Sequence, residues 1–285
     1  DLNQSLTLKA DMDCGRTGIT IKAEDIVLDC DWNEIKFGGT YHSYGITNTE
    51  GYDNVTIQNC DIVQKSSNWE AVGILLSDSK NGSIINNTIF MKSGGFRQSD
   101  AIKFMLSSNG NNVSNNTLTT INRLFNDGIF LLQSKDNSIK YNTFNTSGNS
   151  FNIASSSESN VFEKNTIIQA DSAISLLVYD SQEPINNKFI NNTLNNVAGY
   201  DLKIEGDAVD GTYLIDQIIT NYSISGSGSI IYFKDSTYGE IRVLEAINGN
   251  GDNLSADIKI GNNSIYVDSS QTGLNKSANL TFYNP

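Results

Sequence analysis

The chain has 285 residues, 38% hydrophobic and 18% charged, enough to bury a sizeable core and too apolar for a disordered polymer. Nineteen basic against 32 acidic side chains give a formal charge of −13, which repels a nucleic-acid backbone, so no nucleic-acid partner is expected. Two prolines, 23 glycines and abundant Asn, Ser and Thr disfavour long helices, no apolar run reaches the roughly 18 residues of a membrane span, and an all-β chain is expected.

Asp1-Leu2-Asn3-Gln4 opens the chain without the basic and then apolar pattern of a secretory leader, and any such leader is expected to have been removed. Cys14, Cys30 and Cys60 lie in the first fifth of the chain, without the C-x-x-C spacing or the nearby histidine of a zinc site. Two are expected to pair, either Cys14 with Cys30 or Cys30 with Cys60, because stacked coils lie within disulfide reach.

From residue 57 onward a short pattern recurs: an apolar residue, polar residues, Asn, one more residue and another apolar one. It occupies Ile57 to Ile62, Ile84 to Ile89, Val113 to Leu118, Ile139 to Phe144, Phe162 to Ile167 and Phe189 to Leu194. Counting from Cys60 through Asn87, Asn116, Asn142, Asn165 and Asn192 gives intervals of 27, 29, 26, 23 and 27 residues. That is the length of one solenoid coil, without the leucine pattern of a leucine-rich repeat or the roughly 40 residues of a propeller blade. A second strand precedes each segment, at Tyr44 to Ile46, Val72 to Leu76, Ala101 to Phe104, Asp127 to Leu131, Ala173 to Leu176 and Asp201 to Ile204. Coils about 4.8 Å apart would stack the asparagines into a hydrogen-bonded amide ladder at a corner whose left-handed backbone Asn tolerates, with Ile, Val, Leu and Phe pointing inward.

The run Gly18-Ile19-Thr20-Ile21-Lys22-Ala23-Glu24-Asp25-Ile26-Val27-Leu28-Asp29-Cys30, followed by Tyr44-Gly45-Ile46 and Asn54-Val55-Thr56-Ile57-Gln58-Asn59-Cys60, resembles the opening of right-handed parallel β-helix repeat proteins, including the NosD-like group and many archaeal surface proteins. The resemblance covers roughly residues 14 to 205. It implies the fold and leaves activity open, since that superfamily holds lyases, hydrolases, adhesins and structural surface proteins. The expected organisation is a right-handed parallel β-helix over 1–205. A β-rich C-terminal region over 206–285 then serves as a cap or assembly domain. There the ladder is expected to stop, and strands are read around Tyr213, Ile230, Ile241, Ile258, Ile265 and Leu280. The segment Gly273 to Tyr283 is itself similar to archaeal surface proteins.

A β-helix enzyme would carry its catalytic groups at matching positions of neighbouring coils. Asp100 and Asp127, 27 residues apart and each just before a strand, could stack as a carboxylate pair, with Asp201 placed similarly. Asn126-Asp127-Gly128-Ile129 looks like part of the polygalacturonase-type motif, whose paired carboxylates protonate the leaving oxygen and activate water. The rest of that motif is missing, so the acids read as strand-initiating or turn-capping groups. A lyase would need a base such as Arg97 or Lys103, and nothing in the spacing binds either into a site. The only histidine, His42, reads as a surface loop residue. Asp207 to Gly211 and Asn248 to Asn253 have the oxygen content of calcium loops without their spacing and read as ordinary turns. Trp32, Tyr41, Tyr44, Tyr52, Trp69 and Phe96 crowd the early loops, either covering the first coil or offering a sugar-stacking surface. No catalytic residue, metal ligand or cofactor is assigned.

The acceptor pattern N-x-[ST] occurs at Asn3, Asn54, Asn81, Asn86, Asn112, Asn115, Asn145, Asn191, Asn221, Asn253, Asn262, Asn275 and Asn279. Thirteen acceptors point outside the cell, to an N-glycosylated chain. Open solenoid ends carry unpaired backbone groups, which favours self-association into a homo-oligomer or filament. The sequence therefore predicts a non-enzymatic structural protein of a cell surface. The alternative is an adhesin or polysaccharide hydrolase or lyase using one β-helix face.

Overall fold

A computed structural model describes residues 1–285 except 40, 67–69, 93–98, 122–125, 179, 252, 269, 272, 284 and 285. Each coil contributes three short strands rather than the two legible in the repeat, and equivalent strands of successive coils pair in parallel. Sheet A stacks Ile19–Thr20, Tyr44–Asn48, Val72–Ser77, Asp100–Met105, Ile129–Leu132, Phe151–Ala154, Ile174–Leu177 and Leu202–Glu205. Sheet B runs from Leu6–Thr7 through Ser83–Ile85 and Ser138–Lys140 to Lys188–Ile190. Sheet C runs from Met12–Asp13 through Thr88–Lys92 to Thr193–Leu194. The repeated segment holds strands B and C with the Asn corner between them.

The strands are short because each corner must turn sharply, and they are stable because each buries one inward row on the row above. Ile46, Ile74, Ile102, Ile129, Phe151, Ile174 and Leu202 share one register of sheet A and are fully buried. Ile57, Ile84, Val113, Ile139, Phe162 and Phe189 do the same in sheet B. Fully burying each such side chain contributes about 1.5–3 kcal/mol. Toward the C-terminal coils the filling becomes aromatic. Phe144, Phe151, Phe162 and Phe189 stack through the middle with centroid separations of 4.8, 4.7 and 4.9 Å.

The expected ladder is present. The Nδ2 groups of Asn87, Asn116, Asn142 and Asn165 donate to the Oδ1 of the next rung at 2.9–3.0 Å, and each rung's backbone N–H donates to the same oxygen. Each Nδ2 also donates to a carbonyl one coil back, as from Asn142 to Val113 at 2.9 Å. Two expectations are corrected. The left-handed residue is the one before the rung (Asn59, Asn86, Asn115, Tyr141, Lys164, Asn191), since the rung itself must face inward to bond along the stack. Nor does the ladder stop in the first region, because Gln217 accepts from the N–H and Nδ2 of Asn192 at 2.9 and 3.0 Å.

At the other end, Cys60 N donates to Asn87 Oδ1 at 2.9 Å, so the column continues upward as the Cys30–Cys60 disulfide, with Cα atoms 4.7 Å apart. Of the two expected pairings this is the one formed. Cys14 is left as the free thiol, its pKa pushed up by burial against the opposing pull of Lys65.

Parallel pairing crosses residue 205. Tyr213, Leu214 and Ile215 register with Lys188, Phe189 and Ile190, and Tyr222–Asp235 pairs in parallel with both Leu202–Glu205 and Asp207–Ile215. Beyond it the sheet turns antiparallel through Gly239–Val243, Ile247–Gly251 and Ala278–Phe282, with a hairpin of Ile258–Gly261 and Ser264–Val267 beside it. The two candidate calcium turns are mainly strand: Asp207 to Gly211 lies in Asp207–Ile215, and Ile247–Gly251 precedes Asn253, which caps the helix Leu254–Asp257.

Candidate functional site

The surface with most chemical potential is the outward side of sheet A and the corner feeding it. Ile102 pairs with Ile129, so Asp100 and Asp127, each two residues upstream, stack on successive coils as their spacing predicts. Both are only 1% exposed. Asp127 N donates to Asp100 Oδ1 at 3.3 Å, and Lys103 Nζ lies 3.7 Å from Asp100 Oδ2. Asp127 Oδ1 accepts the backbone and side-chain N–H groups of Asn149, both at 3.0 Å, and its Oδ2 accepts Asn152 Nδ2 at 2.7 Å. Asp127 therefore ties one coil to the next, with both of its oxygens accepting hydrogen bonds from the following coil.

Asp201 is not a third member of that column. Ile174 registers with Leu202, which puts Asp201 one residue out of phase, and its Oδ2 accepts the N–H and Oγ1 of Thr220 at 2.6 and 2.7 Å. Lys103 is held as well, between Asp100 and the face of Phe130 at 4.7 Å. Arg97 lies outside the described residues.

Lys103 also borders a groove of about 370 Å³ walled by His42, Tyr44, Glu70, Val72, Leu75 and Met105. Val72 and Leu75 form an apolar floor at 7% and 6% exposure. His42 sits exposed at the rim, as a surface residue, with Nδ1 2.7 Å from Glu70 Oε2. Of the early aromatics, Tyr44 lines this groove, Tyr52 donates its hydroxyl to Glu50, and Trp32 and Tyr41 stand exposed elsewhere. Trp69 and Phe96 lie outside the described residues. Among the described residues no group of three or more His, Cys, Asp and Glu gathers to hold a metal ion, and no helix is long and apolar enough to cross a membrane.

Eleven of the thirteen acceptor asparagines are exposed, while Asn112 and Asn221 are half-buried. Sequence reasoning missed two regular features. A second amide ladder runs through Asn111, Asn137, Asn160 and Asn187, with Nδ2 to Oδ1 separations of 3.1, 2.9 and 3.0 Å. Its signal was an Asn five residues before four of the five rungs of the first ladder, Gly82 standing before Asn87, and it was hidden by changing neighbours. Outside sheet C, Thr88, Thr117, Thr143, Thr166 and Thr193 share one register as a hydroxyl column.

A continuous stack of three parallel sheets identifies the architecture, and the family described as a right handed beta helix region matches residues 12–194. The chain belongs to the right-handed β-helix family. No curated protein matches this β-helix chain. Among solved structures it is similar to the Dettilon tailspike protein, at 11% identity and TM-score 0.29, covering 82% of this chain and 61% of that one. It is also similar to PfbA, a surface adhesin of Streptococcus pneumoniae, at 14% identity and TM-score 0.29, over 96% and 70% of the two chains. A further likeness is to the A-module of the Azotobacter vinelandii mannuronan C-5 epimerase AlgE6, at 14% identity and TM-score 0.24, over 88% and 77%. The β-helix chain thus spans less than two thirds of the tailspike's length, and at such identities and scores the likeness bears on no activity.

Proposed function

We propose that this β-helix chain is a non-enzymatic extracellular structural protein of a cell surface, an N-glycosylated rod that associates with copies of itself into a filament, sheath or layer. The observation that carries the reading is the edge strand Ala278–Phe282. It pairs on one side with Gly239–Val243, and among the described residues no strand pairs with its other side. Its Leu280 and Phe282 are 51% and 38% exposed. An open strand edge bearing apolar side chains invites another chain to add to it, and a solenoid locked by two ladders and a disulfide is a rigid body on which to place it. The engaged state of Asp100, Asp127 and Lys103 supports the absence of catalysis. The test is sedimentation velocity across a wide concentration range. The chain is expected to associate, and the double change Leu280→Lys and Phe282→Lys to keep it monomeric with an unaltered β-sheet spectrum. A wild-type chain that stays monomeric at every concentration would overturn the reading.

The groove beside Lys103 favours a second reading, a carbohydrate-binding adhesin or a polysaccharide hydrolase or lyase using the sheet A face. An ammonium, a tyrosine and an apolar floor suit an acidic sugar. Under this alternative, Lys103→Ala weakens binding to an acidic polysaccharide, and Asp100→Asn with Asp127→Asn abolishes any release of reducing ends.

A further inference from the structure

Within the reading of a secreted glycoprotein, we propose that Asn81, Asn86, Asn115 and Asn191 are the sites at which the solenoid carries its sugars. The four combine three independent properties. All are exposed acceptors, all have positive φ, at 56°, 56°, 57° and 47°, and all sit at the tip of a corner immediately before an inward-facing ladder position. The left-handed corner tip leaves the side chain exposed outside the core, while the following residue is fixed by the ladder: Gly82, Asn87, Asn116 and Asn192 each donate their backbone N–H to a ladder oxygen at 2.8–2.9 Å. Backbone bonds alone hold the four acceptors themselves, from their N–H groups to Asn109, Ser114, Lys140 and Ile215. A sugar on Nδ2 would therefore break no hydrogen bond of the fold. For Asn86, Asn115 and Asn191 the hydroxyl completing the acceptor triplet belongs to Thr88, Thr117 and Thr193, three exposed members of the threonine column.

Other acceptors show what the row lacks. Asn54 is also a left-handed corner tip, but its Nδ2 donates to Asp25 Oδ1 at 2.9 Å. Half-buried Asn112 turns its Nδ2 to Ser114 Oγ at 3.4 Å, and Asn221 Nδ2 donates to the Gly199 carbonyl at 2.5 Å. Linking a sugar to any of these three nitrogens disturbs a bond that ties residues of adjacent coils or of one strand, and at half-buried Asn112 and Asn221 a buried polar group left unpaired costs about 1–3 kcal/mol. The sugars would then lie along the two corners flanking sheet B. The outward side of sheet A stays bare of these four sugars.

The experiment is mass-spectrometric mapping of the chain purified from the cells that make it, with fragmentation that preserves the sugar–asparagine bond so that Asn112 and Asn115 are told apart. The expected result is a glycan mass increment on the four row asparagines and unmodified Asn54, Asn112 and Asn221. Sugar on Asn112 or Asn221 with a bare row overturns the assignment while leaving the glycoprotein reading intact. Absence of sugar from the whole chain overturns both.

Discussion

At the residue scale, one amide does several jobs at once. Asn142 donates to the Val113 carbonyl, the Lys140 carbonyl and Asn165 Oδ1, and accepts from the N–H and Nδ2 of Asn116. Replacing it with Ala strands several buried partners, so Asn142→Ala is expected to cost about 2–4 kcal/mol in urea unfolding. Asn191→Ala, at an exposed corner tip with φ 47°, loses no side-chain bond and should cost only the left-handed penalty of alanine, about 1 kcal/mol. The same bonds have a chemical consequence. Asparagine deamidates when the next residue's backbone nitrogen attacks its side-chain carbonyl carbon and expels ammonia, water then opening the cyclic imide to an aspartyl residue, and that nitrogen after Asn81 is already bonded to Asn111 Oδ1 at 2.8 Å. Deamidation at Asn81-Gly82 in the folded chain should therefore run at least ~10-fold slower than in the denatured chain, being limited by local opening of the coil. A one-dalton mass gain followed over time in both states measures it.

At the scale of the coil, like charges stack as readily as like amides. Glu34 registers with Asp61 on adjacent coils of sheet C, and Asp11 bonds the Glu34 N–H through Oδ1 at 2.9 Å. Burial first, then Glu34 and Asp11, raise the Asp61 pKa above the ordinary carboxylate value. A carboxylate whose folded pKa is raised contributes stability only at low pH, and that contribution is lost as pH rises through the folded value. Asp61→Asn is thus expected to stabilise the chain at neutral pH and to have little effect below about pH 4, read from melting temperature against pH. The disulfide above the first ladder works in the opposite direction to such repulsion, closing a separation of 30 residues worth about 3–4 kcal/mol in the chain-entropy account.

The repeat was legible in the sequence where chemistry is repeated without gaps. Six repeated segments revealed the B–C corner, its inward columns and one ladder, because five successive coils place the same amide there and the coil before them a cysteine. The second ladder escaped notice because its corner accepts Gly, Asp, Ser or Asn before the rung, as at Gly110, Asp136, Ser159 and Asn186, so no fixed neighbour marks it. The choice between two disulfides depended on which coils stack at which corner, a register that cysteine spacing does not encode. The Asp100 and Asp127 stack was foreseen and its use was not, since the partners Asn149 and Asn152 arrive from the following coil.

At the scale of the whole molecule, the parallel stack extends through Gln217 and Tyr222–Asp235 and then changes direction, ending in an antiparallel edge. A rod whose ladder amides are consumed in holding coils together offers chemistry at its corners, its sheet A groove and that edge. The central claim, a structural rod that builds a larger assembly, is tested most directly by electron microscopy of the purified chain over a range of concentrations. The account predicts filaments or sheets with rods in a regular head-to-tail or lateral repeat, and a field of separate single rods at every concentration would contradict it.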